Sequence, residues 1–234
     1  GDVDIVEEVV ERAEAAELAR ESLGPGRARG QLVRARGSTA RLLVLKEAVA
    51  LGRLNERVPP TPYVVRLVDT GSVPLDVGGT EVLVPWIALE YVHGGSEGTT
   101  LSQRVMHSIR STSHAFDAHR AATLVEALGG GLGAVHEVGV IHRDIKPDNV
   151  LCCGFGDEEI FKIADFGVAR PQGVAATFGG FIVGTMGFAA PELATMDAKA
   201  VGTWSDVFSM AAVIFHVLCG ADYFDVNTPS DALL

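Results

Sequence analysis

The chain has 234 residues, of which 19 are Lys or Arg and 30 are Asp or Glu, so its formal net charge is −11. Apolar residues make up 47% and charged residues 21%, the composition of a folded protein rather than a disordered one. The acid excess argues against a nucleic-acid partner, because such binding depends on basic residues that neutralise phosphates. The longest strongly apolar run, Met210–Cys219, is too short for a membrane span, which needs about 20 residues.

The three cysteines, Cys152, Cys153 and Cys219, are odd in number and lack the CxxC spacing of a zinc site. They indicate neither a disulfide framework nor a metal centre. Residues 1–8 are acidic, unlike the basic start of a secretory signal. We therefore expect a reducing, cytoplasmic setting. Only four of the 19 basic residues are lysines, a bias that fits GC-rich codons and favours a bacterial source.

Residues 1–16 predict an acidic amphipathic helix, because Ile5, Val9, Ala13 and Ala16 recur at helical spacing. We interpret this segment as an N-terminal extension that packs on the domain after it, and a helix that binds a partner protein is the alternative.

Residues 17–92 change to short runs of β type, separated by turns rich in Gly or Pro. They predict a small β-rich lobe with one helix, Glu47–Arg57, which stops before Pro59. The predicted strands of this lobe are Leu32–Val33, Leu42–Leu45, Tyr63–Val68 and Glu81–Leu89.

Residues 93–234 are mainly helical and predict a second, larger lobe. Its helices are predicted at Thr100–Ile109, Ala118–His136 and Ser205–Cys219. The last of these is apolar on nearly all sides, so we expect it to lie buried in the middle of the lobe. The predicted fold class is therefore α+β, with two lobes.

The run Ile141–Leu151, IHRDIKPDNVL, carries the strongest chemical signal. Asp144 and Asn149 lie five residues apart, and Asp165 follows within an Asp-Phe-Gly triplet. Phosphoryl transfer needs Mg²⁺, neutralised phosphate charge and a carboxylate that orients the attacking hydroxyl. One carboxylate for the hydroxyl and an Asn–Asp oxygen pair for hard cations meet those needs.

In this run the chain resembles the eukaryotic-type (Hanks-type) serine/threonine protein kinases, and the resemblance extends from residue 17 to the end. It implies a two-lobed kinase fold, ATP and Mg²⁺ as cofactors, and a protein with a serine or threonine as substrate. By this resemblance Asp144 is the catalytic base and Lys146 contacts the transferred phosphate. Asn149 and Asp165 are implied as the Mg²⁺ ligands.

Later motifs follow the family's order. Gly184-Thr185 and Ala190-Pro191-Glu192 resemble the end of the activation segment. Asp206 resembles the aspartate that anchors the catalytic loop from a buried helix. Its alternative role is that of an acid that complements the dipole at a helix N-terminus.

The activation segment also suggests a regulatory site. Between Gly167 and Gly184 the only hydroxyl is that of Thr177, which is therefore the candidate autophosphorylation site. By resemblance, Arg143 would pair with the phosphate and order the segment. Self-association of the chain is one route to this modification. The alternative is that Thr177 is an ordinary loop threonine without a regulatory role.

The nucleotide contacts are predicted from weaker patterns. Gly24, Gly26 and Gly30 resemble the glycine loop that lets backbone amides approach phosphates, although one extra residue precedes the third glycine. The backbone at Glu90 and Val92 resembles the hinge that pairs with adenine.

Lys46 resembles the strand lysine that holds the α- and β-phosphates, and Glu47 resembles the helix glutamate that pairs with it. Adjacent residues of a strand point to opposite faces, so the two cannot easily pair in one cleft. Either a segment between them is missing, or the helix has been shortened.

The sequence leaves open whether the C-lobe is complete, and it leaves two alternative functions. Kinases of this type continue through more helices, with an arginine that pairs with the residue matching Glu192, so the C-lobe is predicted to be incomplete. A catalytically weak or inactive pseudokinase that acts by binding would fit the irregular glycine loop. A small-molecule kinase shares the Asp-x-x-x-x-Asn loop, but the activation segment argues against it.

Overall fold

The computed structural model describes residues 37–77, 80–166, 170–171, 187–194 and 200–223. The predicted helix 1–16, the glycine loop with Gly24, Gly26 and Gly30, the strand Leu32–Val33, Gly184-Thr185 and Thr177 lie outside these residues.

The described residues form five helices, six strands and three short 3₁₀ turns. The helices are α1 (Gly37–Asn55), α2 (Leu101–Thr112), α3 (Ala118–Glu137), α4 (Pro191–Ala194) and α5 (Thr203–Cys219). The strands are β1 (Leu67–Val77), β2 (Thr80–Leu89), β3 (Val140–Ile141), β4 (Val150–Cys153), β5 (Ile160–Ile163) and β6 (Arg170–Pro171). The 3₁₀ turns are Gly95–Glu97, Pro147–Asn149 and Gly156–Glu158.

Helix α1 occupies the place of a predicted strand, so the strand prediction for Leu42–Leu45 is wrong. A short apolar run fits a strand or a buried helix equally well. The spacing of the buried residues over a longer stretch of sequence decides between them. In α1 that period is helical, because the buried side chains lie at positions i, i+3, i+4 and i+7, whereas Leu45 and Val49 are exposed. The buried residues of this face are Glu47, Ala50, Leu51 and Leu54.

The continuity of α1 removes one of the two explanations for the adjacent Lys46 and Glu47. The helix runs through the two residues without a break, and Glu47 lies near its middle. The helix is therefore not shortened at its start, and a segment absent from the sequence between the two residues stays the other explanation.

Strands β1 and β2 form an antiparallel hairpin whose register runs from Leu67 opposite Leu89 to Val77 opposite Thr80. This confirms the predicted strand Glu81–Leu89. The predicted strand Tyr63–Val68 is confirmed only at its end. Earlier in that stretch the chain pairs with β5 instead, because Val65 N–H donates to Ile163 O (2.9 Å) and Ile163 N–H donates to Tyr63 O (2.8 Å).

The helical part confirms the three predicted helices, which are now α2, α3 and α5, with small shifts at their ends. Thr100 caps α2 through a reciprocal bond pattern with Gln103, and Asp117 caps α3 by accepting from Arg120 N–H (2.8 Å). Gly220 ends α5 in a left-handed conformation, at φ 70°.

Helix α5 is buried on one side, not on all sides as we predicted. Trp204 is 60% and Val207 56% exposed among the described residues. The buried side carries Ser205, Asp206, Ser209, Ala212, Val213 and Val217. Three polar residues therefore lie on the side that faces the rest of the lobe.

The glycines of α3 allow close packing against the strand that leads to Asp165. A Cβ at Gly131 would lie 2.9 Å from Ile163 Cδ1 and 3.0 Å from Tyr63 O. Glycine therefore lets α3 approach β5 closely. The fold is α+β, as predicted. None of the helices in the described residues is long and apolar enough to cross a membrane.

Candidate active site

The loop between β3 and β4 is held by a single buried carboxylate of α5. Asp206 Oδ2 accepts from His142 N–H (2.9 Å) and Asp206 Oδ1 accepts from Arg143 N–H (2.8 Å). His136, at the end of α3, donates from Nε2 to Asp206 Oδ2 (2.8 Å). The side chain of Asp206 is fully buried. Helix α5 therefore fixes the backbone just before Asp144, and α3 supplies a third donor.

Three of the predicted site residues meet at the end of this loop. Asp144 Oδ2 accepts from Lys146 Nζ (2.8 Å) and from Asn149 Nδ2 (2.9 Å), while Asn149 Nδ2 also donates to Asp144 O (2.8 Å). The Asp144 side chain is 11% exposed and that of Lys146 is 21% exposed, so both remain accessible from solvent. The carboxylate is thus oriented by two donors of its own loop.

His142 joins this loop to the segment that carries Asp165. Its Nδ1 accepts from Asp144 N–H (3.3 Å), so Nε2 carries the proton and donates to Ala164 O (3.1 Å). Its ring also meets the buried Phe166 edge-on, with centroids 4.7 Å apart. Burial lowers the pKa of His142, which keeps the ring neutral in this tautomer.

Neither His136 nor His142 was predicted from the sequence to have a role, although His142 lies within the motif Ile141–Leu151. The only sequence signal for His136 is that it is a polar residue near the end of the mainly apolar helix α3. Its partner, the buried Asp206, comes close only when the chain folds.

Glu47 lies against the same segment. Its Oε1 accepts from Phe166 N–H (3.3 Å), and the residue is 3% exposed. Burial and the nearby Asp165 raise the pKa of Glu47 to about 7, while the Phe166 N–H opposes the rise. Helix α1 is thereby connected to the backbone next to a predicted metal ligand.

Lys46 does not lie where the sequence analysis predicted. It is part of α1, and successive helical residues point about 100° apart, so it shares neither a strand nor a face with Glu47. The predicted strand around Lys46 is therefore wrong, and the phosphate-binding role that depended on this strand stays a prediction. No lysine precedes Lys46 in the 234 residues.

The predicted hinge follows β2. Glu90 N–H donates to Arg66 O (2.9 Å), so only the carbonyl of Glu90 could pair with a base. The Glu90 carboxylate points elsewhere, because Oε1 accepts from Lys162 Nζ (2.8 Å) on β5 and from Arg66 N–H (3.0 Å). Sequence reasoning missed this role of Lys162, since the two residues are 72 positions apart.

Glu192 is linked to the start of α5. Ser205 Oγ donates to Glu192 Oε1 (2.5 Å), and Gly202 N–H donates to Ser205 Oγ (3.2 Å). The resemblance implied an arginine as the partner of Glu192, whereas here a serine makes the contact. Ser205 couples helix α4 to α5 and immediately precedes Asp206, which holds the loop before Asp144.

The chemistry of these residues fits a metal–nucleotide complex. Mg²⁺ in such sites takes one or two protein oxygens and completes its shell with phosphates and water. The amide nitrogen of Asn149 donates to Asp144, so the amide oxygen of Asn149 is available to a cation. Asp165 is exposed to solvent. Among the described residues, no group of three or more His, Cys, Asp or Glu is placed to hold a metal ion.

Comparison with known proteins agrees with this geometry. The family model described as "Protein kinase domain" matches residues 36–233. Over 176 residues, which are 75% of this chain, the serine/threonine-protein kinase PknK of Mycobacterium bovis is 33% identical, and the match covers 14% of that protein. The probable serine/threonine-protein kinase CE0033 of Corynebacterium efficiens is 30% identical over 187 residues, 79% of this chain and 25% of that protein.

A mammalian relative is similar over the same share of the chain. The calcium/calmodulin-dependent protein kinase type 1B of Rattus norvegicus is 28% identical over 188 residues, 80% of this chain and 47% of that protein. The chain thus spans from a seventh to about half of the length of these relatives. Because the family model covers most of the sequence, the chain belongs to the protein kinase family, as the resemblance to its eukaryotic-type serine/threonine members, bacterial ones among them, predicted.

Proposed function

We propose that the chain forms the catalytic part of a serine/threonine protein kinase, which transfers the γ-phosphoryl group of ATP to a hydroxyl of a protein. The observation that carries the proposal is the cluster in which Asp144 accepts from Lys146 and Asn149 at 2.8 and 2.9 Å. The serine/threonine kinase names of the relatives support the choice of hydroxyl.

In the proposed reaction the substrate hydroxyl lies against the Asp144 carboxylate, which orients its oxygen towards the γ-phosphorus. That oxygen bonds to phosphorus as the bond to the ADP oxygen breaks, and the hydroxyl proton passes to Asp144. Lys146 holds the carboxylate in place and brings positive charge to the transferred group. Asn149 and Asp165 would hold Mg²⁺, which neutralises phosphate charge when bound.

The proposed nucleotide site lies at the hinge that follows β2. Adenine would pair with the carbonyl of Glu90 and the backbone of Val92, since no backbone hydrogen bond between described residues outside regular helices and strands involves Val92. Gly24, Gly26 and Gly30 remain a prediction for the phosphate side. The division into two lobes between residues 92 and 93 also remains a proposal. So does a cytoplasmic setting, which the three free cysteines support.

A transfer assay tests the proposed activity. The full-length gene product is incubated with γ-labelled ATP, Mg²⁺ and a generic basic protein, beside Asp144→Asn. We expect label on serine or threonine with the wild type and loss of about 10³-fold or more with the variant. Binding of ATP without any transfer would favour the pseudokinase, and transfer to small hydroxyl compounds alone would favour the small-molecule kinase.

Thr177 is proposed as an autophosphorylation site that pairs with Arg143. Mass spectrometry after incubation with ATP should find phosphate at Thr177. A mixture of wild type and Asp144→Asn then tests self-association, because phosphate on the inactive chain can only come from the active one. An active enzyme whose Thr177 stays unmodified would contradict this part of the proposal.

A further inference from the structure

Arg104 of α2 is a fully buried cation whose hydrogen-bonding capacity is used completely. A guanidinium has five N–H donors in a fixed fork. Nε donates to Gly98 O (2.9 Å), and Nη2 donates to Gly94 O (3.0 Å) and Gly154 O (3.1 Å). Nη1 donates to the carboxylates of Glu159 (2.7 Å) and Glu97 (3.4 Å).

The five acceptors belong to two segments on either side of Arg104. The post-hinge turn, residues 94–98, follows the predicted hinge directly and supplies Gly94, Glu97 and Gly98. The β4–β5 turn, residues 154–159, supplies Gly154 and Glu159. One side chain therefore joins two turns that are about 60 positions apart in the sequence.

The ring of Phe155 completes the contact between the two turns. It lies 4.9 Å from the Arg104 guanidinium and packs on Gly95, where a Cβ would come within 2.5 Å of Phe155 Cζ. Gly95 has φ 63°, a conformation that favours glycine. The post-hinge turn is thus shaped to approach Phe155 and Arg104 closely.

Both turns lead straight to predicted nucleotide contacts. The post-hinge turn begins two residues after Val92. Strand β4 begins immediately after Asn149, and β5 ends two residues before Asp165. The pairs Val150–Ile163 and Cys153–Ile160 place Asn149 and Asp165 at one end of the β4–β5 hairpin and the β4–β5 turn at the other. Arg104 therefore joins the post-hinge turn to the far end of the hairpin that carries both predicted metal ligands.

We propose that Arg104 is a positioning residue that fixes the hinge relative to Asn149 and Asp165, so that the adenine and phosphate ends of one nucleotide are held at the correct separation. The inference rests on the proposed nucleotide site. Arg104 touches none of the reacting groups and acts only through the two turns.

Arg120 of α3 provides a matched control. It donates to the same two carboxylates, to Glu159 at 2.7 and 2.8 Å and to Glu97 at 3.1 Å. Among the described residues its guanidinium donates to carboxylates and to no carbonyl of either turn, and its face packs on Phe116. Loss of Arg120 therefore weakens the ionic cluster without releasing the carbonyls of the two turns.

The test compares Arg104→Gln with Arg120→Gln in the full-length gene product. For Arg104→Gln we expect the KM for ATP to rise about tenfold and the Kd for adenosine to rise less, while the KM for the protein substrate stays unchanged. Arg120→Gln should lower the Tm, because it loses its pairs with Glu97 and Glu159, but should leave the KM for ATP within about twofold. Equal effects of the two variants on the KM for ATP, or no effect of Arg104→Gln, would overturn the inference.

Arg104→Lys is the second variant if Arg104→Gln does not fold. A lysine keeps the charge near Glu159, but its single nitrogen cannot reach both turns, so the KM for ATP should still rise by about threefold or more. A wild-type value in Arg104→Lys overturns the inference. If the wild type itself binds neither ATP nor adenosine, the proposed nucleotide site is wrong. If the wild type binds ATP and the Arg104 variants bind it equally well, only the inference about Arg104 is wrong.

Discussion

The buried carboxylate of Glu47 accepts a hydrogen bond from the backbone N–H of Phe166 at 3.3 Å, and so connects helix α1 to the segment that carries Asp165. The contact joins residues 119 positions apart. It places an acidic group beside a predicted metal ligand, and the repulsion from Asp165 adds to burial in raising the pKa of Glu47 to about 7.

The raised pKa of Glu47 makes stability depend on pH. The folded protein holds the proton more tightly than the unfolded chain, whose carboxyl titrates at the ordinary value of 4.5. The stabilisation is therefore complete below about pH 4.5 and is lost as the pH rises through about 7, at a cost of up to about 3 kcal/mol.

Glu47→Gln removes this dependence and keeps an oxygen for Phe166 N–H. Its Tm should fall less than that of the wild type between pH 5 and pH 8, as measured by thermal melts across this range. Parallel curves for the two proteins would show that Glu47 does not titrate in the expected window.

Replacement of Lys46 by Met tests the corrected position of this residue. Because Lys46 lies on α1 beside Glu47 rather than on a strand, we expect the Kd for ATP to change by less than about twofold. Equilibrium nucleotide binding measures the effect. A tenfold loss of affinity would support the phosphate-binding role that the sequence predicted.

Asp206→Asn should lower both stability and activity. The substitution leaves one oxygen to serve the three donors of His136, His142 and Arg143, and each unmet buried donor costs about 1–3 kcal/mol. We expect the free energy of unfolding in urea to fall by about 2 kcal/mol or more, and kcat to fall because Asp144 loses its support.

The matched control for Asp206→Asn is Asp222→Asn. Asp222 also pairs with a histidine, His216, at 2.8 Å, but its side chain is 49% exposed. This change should cost less than about 0.5 kcal/mol. If the two variants were equally stable, the loop would not depend on its buried anchor.

Two glycines of α3 should respond in opposite directions to alanine. A Cβ at Gly131 meets Ile163 and the carbonyl of Tyr63 at about 3 Å, so Gly131→Ala should destabilise the protein by about 1–3 kcal/mol. Nothing lies within 4 Å of a Cβ at Gly133, where alanine should stabilise by about 1 kcal/mol. Urea unfolding distinguishes the two, and a stabilising Gly131→Ala would show that α3 can move away from β5.

The catalytic loop was accessible to sequence reasoning because its chemistry is local. Asp144, Lys146 and Asn149 lie within six residues, and this short span with a proline allows few arrangements of the three side chains. Helices α2 and α3 were also predictable, since a cap and a long apolar period specify a helix without reference to the rest of the chain.

Tertiary structure decided the features that depend on distant partners. The apolar run before Lys46 fits a strand or a helix locally, and it is a helix because Glu47, Leu51 and Leu54 bury one face against the core.

The contacts of His136 with Asp206, of Lys162 with Glu90 and of Ser205 with Glu192 join elements from different parts of the chain. The sequence by itself determined the family and predicted the reacting groups, because both are specified by short motifs. Only folding decided how those groups are held, because a buried polar side chain takes whichever donors the packed elements bring to it.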